Sequence, residues 1–356
     1  MFSWNRFVAV LVKEFVQMRR DRLTFAMMVG IPAAVVSAEA SAFTRSFVRA
    51  MENSGYFRVI ARPATLAEGE AMLARGDIQF LLQVPADFSR RLQRGERPAL
   101  LVEADATDPA ATGNAVIALQ ALNLTALDRD LTGPLASLRA TPAPFEVRVH
   151  RNYNPEGITQ YNIVPGLMGV VLTMTMVMMT SIAMTRERER GTMENLLATP
   201  VRPFEVMLGK IVPYIIIGYV QVVVILAVAK FLFAVPMVGS LALLSAILVL
   251  FIAANLAIGF TFSTFARSQM QAMQMTFFFF LPSMLLSGFM FPFRGMPGWA
   301  QAIGEILPLT HFLRIVRGIL LKGNGWPDIA PNVWPLALIL VLVAAAAMRR
   351  YQETLD

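Results

Sequence analysis

The sequence predicts an α-helical polytopic membrane protein of about six transmembrane helices, with a small α/β extracytoplasmic domain between spans 1 and 2. Two features predict this class. Hydrophobic residues make up 56% of the chain and charged residues only 15%, whereas an average soluble domain carries roughly 25% charged residues. The apolar residues also form long runs, except in residues 37–155, where strand-length runs alternate with charged stretches.

The first 36 residues contain an amphipathic stretch and a short apolar run. Residues 4–18 place apolar side chains at helical spacing, which predicts a helix lying in the membrane interface. Residues 23–36 form a run of about 14 residues that contains Pro32, whereas a span needs about 20. We therefore expect a truncated first span here. A cleavable secretory leader is the alternative, because Ala38-Glu39-Ala40 mimics a small-residue cleavage site.

Residues 37–155 predict the small α/β domain. Strand candidates are residues 56–61, 78–84, 100–103 and 145–149, and helix candidates are residues 42–51, 65–74, 86–93 and 110–127. Their alternation favours a sheet with some parallel pairing. The domain lacks the sequence patterns of a hydrolase nucleophile, a zinc protease or a phosphate loop, so we interpret it as a binding or docking module. Its acidic residues Glu103, Asp105 and Asp108 are more typical of a solvated loop than of a metal site.

Residues 156–356 predict a five-span transmembrane domain. The apolar runs are residues 162–184, 206–233, 238–265, 273–293 and 334–348. Between the last two runs, residues 294–328 contain two apolar pieces, 299–307 and 312–321, that are each too short to span. This segment also carries arginines although alternation of the spans places it outside. A re-entrant helical hairpin that is buried against protein accommodates both facts.

The loop between the second and third spans, residues 186–205, fixes the predicted orientation. It opens with five consecutive charges that cannot lie in hydrocarbon, and arginines beside a short loop hold that loop in the cytoplasm. Alternation then places both termini in the cytoplasm and residues 37–155 outside. Within the loop, Met193, Leu196 and Leu197 share one face of a helix. This indicates either a helix resting on the bilayer or a docking helix for a cytoplasmic partner.

Three stretches carry a family resemblance. Residues 186–200, Arg-Glu-Arg-Glu-Arg-Gly-Thr-Met-Glu-Asn-Leu-Leu-Ala-Thr-Pro, resemble the signature of the type-2 ATP-binding-cassette (ABC) export permeases. The pattern from Leu286-Ser287-Gly288-Phe289 to Arg317-Gly318 and residues 20–32 are similar to the same family. In that family a full first span precedes the first strand of the external domain, whereas here residues 33–38 already resemble that strand. We expect about half a span to be missing, through a natural deletion or an omission from the sequence.

The resemblance implies that the charged loop couples this chain to a separate cytoplasmic ATPase, which would bind ATP and Mg²⁺. The expected coupling residues are Arg186, Glu187, Glu189, Arg190, Gly191, Glu194, Leu197, Thr199 and Pro200. The resemblance also implies a second permease copy, identical or a close paralogue, in the bacterial inner membrane. A periplasmic adaptor and an outer-membrane channel are further expected partners.

The expected function is outward export of an amphiphile, either a drug or a lipid-like compound. Predicted spans two to six contain no Asp or Glu, which disfavours coupling to an ion gradient. Candidates for a substrate pathway are Thr175, Met178, Phe278, Phe280 and Met284. With no cysteine and two histidines, we expect neither a metal centre nor a cofactor on this chain. The alternative is a non-transporting membrane receptor or scaffold that displays the external domain, which the truncated first span favours.

Overall fold

The computed structural model describes residues 30–139, 143–190 and 203–353. An α/β domain forms the first part of these residues, and a bundle of long apolar helices forms the rest. Several expectations lie outside them: the amphipathic stretch 4–18, most of the first apolar run, and the coupling residues from Gly191 to Pro200.

Five strands of the α/β domain form one mixed sheet in the order β2-β1-β3-β4-β5. They are β1 (Ile31–Ser37), β2 (Phe57–Ala61), β3 (Phe80–Val84), β4 (Ala99–Asp105) and β5 (Glu146–Asn152). Strand β1 is parallel to both β2 and β3, and β4 is parallel to β5, whereas β3 and β4 are antiparallel. The predicted alternation of strands and helices with some parallel pairing is confirmed.

Strand β1 corrects two expectations about the start of this domain. It begins at Ile31, so the strand expected at residues 33–38 is confirmed, and the boundary after residue 36 was placed too late. The physical reason is that Ala33 and Ala34 are fully buried in the sheet. Because β1 lies between β2 and β3, cleavage after Ala40 would remove an interior strand. The alternative of a secretory leader cleaved at Ala38-Glu39-Ala40 is therefore wrong.

Helices cover both faces of the sheet. They are α1 (Ala42–Asn53), α2 (Leu66–Arg75), α3 (Phe88–Gln93) and α4 (Pro109–Thr125). On one face, α1, α3 and α4 surround a core that contains Phe47, Phe88 and Phe145. On the other face, α2 packs Leu73 into a smaller core. The side chain of Thr65 accepts the backbone N–H of Glu68 and so caps α2, as the sequence pattern predicts.

Within the described residues, the bundle contains five long helices and two short ones. These are α5 (Thr159–Glu189), α6 (Pro203–Phe231), α7 (Leu241–Phe265), α8 (Gln269–Leu286), α9 (Gly298–Gly304), α10 (Pro308–Arg317) and α11 (Trp326–Glu353). Within the described ranges, four stretches are long and apolar enough to cross a membrane: Thr159–Glu189, Val212–Phe231, Leu241–Phe265 and Trp326–Arg349. They correspond to the predicted second, third, fourth and sixth spans.

The predicted fifth span, residues 273–293, is displaced in the structure. Helix α8 begins at Gln269 and ends at Leu286. Its start is more polar than predicted, because Gln269 and Gln271 occupy the first turn. Its end is set by Gly288, whose φ of +89° is a left-handed conformation that glycine adopts without strain.

The two short apolar pieces expected to form a hairpin are the helices α9 and α10. Helix α10 lies in the centre of the bundle, where Leu309, Phe312 and Ile315 are fully buried. The ring of Phe312 stacks on Phe251 of α7 with ring centroids 4.0 Å apart. A single π-helical turn, Gly318–Lys322, follows α10. The division into two short helices is therefore confirmed.

Helices α5 and α7 approach each other closely at Gly259. A Cβ atom at Gly259 would lie 2.5 Å from the carbonyl oxygen of Val177 and 3.0 Å from Cβ of Thr180. Real Cβ atoms do not approach a backbone oxygen to 2.5 Å, and the backbone of α5 cannot yield as a side chain can. Glycine is required at this crossing.

We expect Gly259→Ala to lower the free energy of unfolding by about 1–3 kcal/mol, the usual cost of overpacking. The measurement is thermal unfolding in detergent. Gly113→Ala is the matched control, because Gly113 lies in a helix and an added Cβ there meets nothing within 4 Å. An unfolding temperature of Gly259→Ala equal to that of the control would contradict the close crossing.

Candidate functional site

The charged end of α5 holds the connection between α7 and α8. Arg188 Nη1 donates a hydrogen bond of 3.2 Å to the carbonyl oxygen of Thr264, in the last turn of α7. The Glu189 carboxylate accepts the backbone N–H of Gln269, the first residue of α8, at 2.8 Å and its side-chain Nε2 at 2.5 Å. A cation at the carboxyl end of one helix and an anion at the amino end of the next both complement the helix dipoles. Three helices are thus joined at one point.

The predicted coupling residues are divided between this joint and the part of the chain that is not described. Arg186, Glu189 and Arg190 are exposed at the end of α5, and Glu187 is partly exposed. The remaining ones lie outside the described residues: Gly191, Glu194, Leu197, Thr199 and Pro200. Arg188 and Gln269 were not among the predicted residues. No sequence pattern could have paired them with partners 76 and 80 residues away.

The five pathway candidates are not brought together. Thr175 donates a hydrogen bond of 2.9 Å to a glutamine of α6, so it links two helices. Phe278 is 78% exposed and points away from the bundle core. Phe280 and Met284 are half-buried against that core, and Met178 is also half-buried. Hydropathy indicated that these residues lie in spans but could not indicate which way each side chain points.

An apolar cavity of about 380 Å³ lies between the first turns of α5 and the last turns of α6. Its lining residues are Thr159, Gln160, Ile163, Val164, Leu167, Val224, Ile225, Val228 and Phe233. None of the pathway candidates is among them. The volume falls within the range of about 300–1,000 Å³ that is usual for small-molecule sites.

Three polar side chains from the region around α9 and α10 bind the carboxyl end of α2. Lys322, Asn324 and Arg294 donate hydrogen bonds of 3.1, 3.0 and 3.3 Å. The acceptors are the backbone carbonyls of Leu73, Ala74 and Gly76, respectively. Carbonyls at the end of a helix lack intrahelical partners and carry the negative end of its dipole. This contact holds the α/β domain on the helical bundle.

Lys322 also forms a buried ion pair with Asp105 at 2.6 Å, with the two side chains 7% and 8% exposed. Thr107 donates its N–H and its hydroxyl to the same carboxylate. The expectation of a solvated acidic loop is wrong, because a lysine 217 residues away neutralises Asp105. Glu103 is buried as well and accepts hydrogen bonds from two amide side chains. The described residues contain no group of acidic or histidine side chains arranged to hold a metal ion.

A second ion pair stabilises the turn between α9 and α10. Arg314 donates two hydrogen bonds to the Glu305 carboxylate, at 2.6 and 3.1 Å. His311 Nε2 lies 2.8 Å from the Glu305 carbonyl oxygen. Burial raises the pKa of Glu305, but the hydrogen bonds from Arg314 and the charges of Arg314, His311 and Arg294 outweigh it, so the pKa lies below its ordinary value.

Comparison with known proteins gives a consistent result. The family described as "ABC-2 family transporter protein" matches residues 23–349. "Probable multidrug ABC transporter permease YbhR" from Escherichia coli strain K12 is 30% identical over 274 residues, which cover 77% of this chain and 73% of that protein. "Probable multidrug ABC transporter permease YbhS" from the same strain is 28% identical, and the match covers 98% of this chain and 95% of YbhS. "Inner membrane transport permease YhhJ", also from that strain, is 32% identical, and the match covers 82% of this chain and 77% of YhhJ.

We expect Lys322→Met to destabilise the fold by about 3–5 kcal/mol, because it leaves Asp105 buried without its charge partner. Thermal unfolding in detergent measures this. Arg75→Met is the matched control: Arg75 pairs with Asp77 at the same end of α2, but the two side chains are 37% and 48% exposed, and such pairs contribute at most about 1 kcal/mol. The double variant Lys322→Met with Asp105→Asn should recover part of the loss. Equal unfolding temperatures for Lys322→Met and the parent would disprove the role of this pair.

Acidification should remove the contribution of Glu305 to stability. Because its pKa is lowered in the folded protein, that contribution is complete above the ordinary value of 4.5 and is lost as the pH falls through the folded value. The unfolding temperature of the parent should therefore exceed that of Glu305→Gln at neutral pH, and the difference should shrink below pH 4.5. A difference that is constant across this range would show that Glu305 acts without its charge.

Proposed function

Because this chain belongs to the ABC-2 family of transporter proteins, we propose that it is the permease subunit of an ABC exporter driven by a separate cytoplasmic ATPase. YbhR, YbhS and YhhJ are themselves named as permeases. A permease is a transport component and not an enzyme. ATP and Mg²⁺ would therefore be bound by the partner chain.

The polar groups of the described spans support an external source of energy. Hydroxyls of Thr173, Thr180 and Thr276 each donate to the carbonyl four residues earlier in the same helix. These hydroxyls do not ionise, so they cannot take up and release a proton. An ion-driven transporter normally carries an ionisable group well inside its spans, whereas the carboxylates of α5 lie only at its charged end and Asp328 lies in the first turn of α11.

The joint at the end of α5 is the observation that supports this proposal most directly. Through Arg188 and Glu189, one short segment is bonded to the end of α7 and to the start of α8. A force applied to the adjoining loop would reach three helices together. We therefore assign the loop of residues 186–205 as the contact with the ATPase, with a second permease copy completing the transporter.

The proposed orientation places the charged end of α5 and both termini in the cytoplasm, within a bacterial inner membrane, and the α/β domain outside. Arginines concentrated at the end of α5 support this, because positive residues are retained on the cytoplasmic side. The proposed substrate is an amphiphile, a drug or a lipid-like compound. The apolar cavity between α5 and α6 supports it, as does the word "multidrug" in the names of YbhR and YbhS. A periplasmic adaptor and an outer-membrane channel would complete the route.

We expect Glu189→Lys to reduce ATP-dependent efflux by about 5- to 150-fold, the range that corresponds to typical coupling free energies. The reason is that a cation would replace the carboxylate that binds the start of α8. The measurement is efflux of a panel of amphiphiles from vesicles that contain the chain and its ATPase, together with stimulation of ATP hydrolysis. Glu194→Arg, within the loop itself, should abolish the same stimulation.

Glu146→Lys is the matched control, since it makes the same change of charge on the exposed surface of β5. It should leave efflux unchanged, and the unfolding temperatures of both variants should match the parent. Normal efflux by Glu189→Lys would defeat the coupling role. Failure of any ATPase to co-purify with the chain would favour the receptor or scaffold instead.

A further inference from the structure

One edge of the Arg317 guanidinium has no hydrogen-bond partner among the residues that the structure describes. Arg317 is the last residue of α10, and its Nη1 donates a hydrogen bond of 3.1 Å to the carbonyl oxygen of Gly288. Its Nε and Nη2 atoms are both buried and unpartnered within the described ranges. These two nitrogens lie along the same edge of the planar guanidinium group. They form the edge that makes two parallel hydrogen bonds with a carboxylate or a phosphate.

Two further buried polar atoms without partners lie in the adjoining segments. One is Oγ of Ser287, the residue before Gly288. The other is Oδ1 of Asn162, which lies one turn before Gly166 on α5. A Cβ atom at Gly166 would be 3.4 Å from Arg317 Nη2, so this part of α5 faces the unpaired edge. Buried polar groups are normally paired. The Ser287 hydroxyl can donate to an anion at this edge, whereas the Asn162 oxygen only accepts and would need a donor group on the ligand.

The charges around Arg317 do not replace such a ligand. Burial lowers the pKa of Arg317, and the charges of Asp108 and Asp105 act in the opposite direction without cancelling it. The Asp105 carboxylate is bound to Lys322 at 2.6 Å. A guanidinium buried without a bonded anion is unfavourable, and an anion on its free edge would offset that cost.

We propose that the Nε and Nη2 edge of Arg317 binds the phosphate or carboxylate group of an anionic amphiphile. The amphiphile is favoured because the apolar cavity lies at the same level of α5. Ile163 and Leu167, which directly follow Asn162 and Gly166, line that cavity. A charged head group and an apolar chain therefore have sites on neighbouring faces of the same helix turns. Assigning this ligand as the transported substrate rests on the proposed export function.

The test is a titration of the purified chain with dodecyl phosphate in a neutral maltoside detergent. Binding is measured as the shift in unfolding temperature. The parent should bind saturably. Arg317→Lys keeps the charge but loses the two-nitrogen edge, so its Kd should rise on the order of ten- to a hundredfold. Arg314→Lys is the matched control, because this arginine on the same helix is already bound to Glu305. It should bind as the parent does.

Arg317→Met provides the folding check. It removes an unpaired buried charge, so its unfolding temperature without ligand should not fall below that of the parent, while its response to dodecyl phosphate should disappear. Absence of saturable binding by the parent, or parent-like binding by Arg317→Met, would overturn the site.

Inorganic phosphate, titrated alone, separates the two sources of the anion. Binding of dodecyl phosphate with no response to inorganic phosphate supports an amphiphile head group, and equal responses overturn that assignment in favour of a free anion. The binding measurement needs no ATPase, so it is independent of the exporter assignment. Saturable binding without efflux of dodecyl phosphate would defeat its role as a substrate while leaving the anion site in place.

Discussion

The buried pair of Lys322 and Asp105 is the interaction on which the arrangement of the two parts depends. Asp105 ends the strand β4, and Lys322 ends the π-helical turn after α10, so the pair connects the end of an interior strand of the sheet to the helical bundle. Both charges are removed from water, and each has further hydrogen bonds: Thr107 donates to Asp105, and Lys322 donates to the end of α2. A buried pair is favourable only with such additional bonds. The α/β domain is therefore fixed in position and is not tethered by its connecting segments alone.

Charged side chains at helix ends make several of the polar contacts that organise the bundle. The interiors of the long helices are largely apolar, and several of their hydroxyl groups bond to their own backbone, so charged side chains act where helices begin and end. Arg188 binds the end of α7, Glu189 the start of α8, and Arg294 the end of α2. In each case the sign of the charge is opposite to that of the helix dipole at that end.

Local chemistry in the sequence predicted the elements of the structure but not their long-range contacts. Strand-length apolar runs and the Thr65 cap predicted the α/β domain because those signals come from residues within one element. The end of α8 was missed because the φ of Gly288, and not hydropathy, stops that helix. The burial of Asp105 was missed because its partner is 217 residues away. Among the proposed site residues, the exposed charges at the end of α5 were predictable from composition. The free edge of Arg317 was not, because it depends on which of its nitrogens packing leaves unpaired.

The contact between Gly259 and Val177 determines how motion can pass along α5. Val177 lies about 18 Å along the helix from Glu189 and about 27 Å from Thr159. Since α7 rests there directly on a backbone carbonyl and Arg188 binds the end of α7, the two helices are in contact at two places along the charged half of α5. A displacement of the charged end would therefore be shared by α5 and α7, and its effect would extend over the longer, uncharged part of α5, where Gly166 faces Arg317.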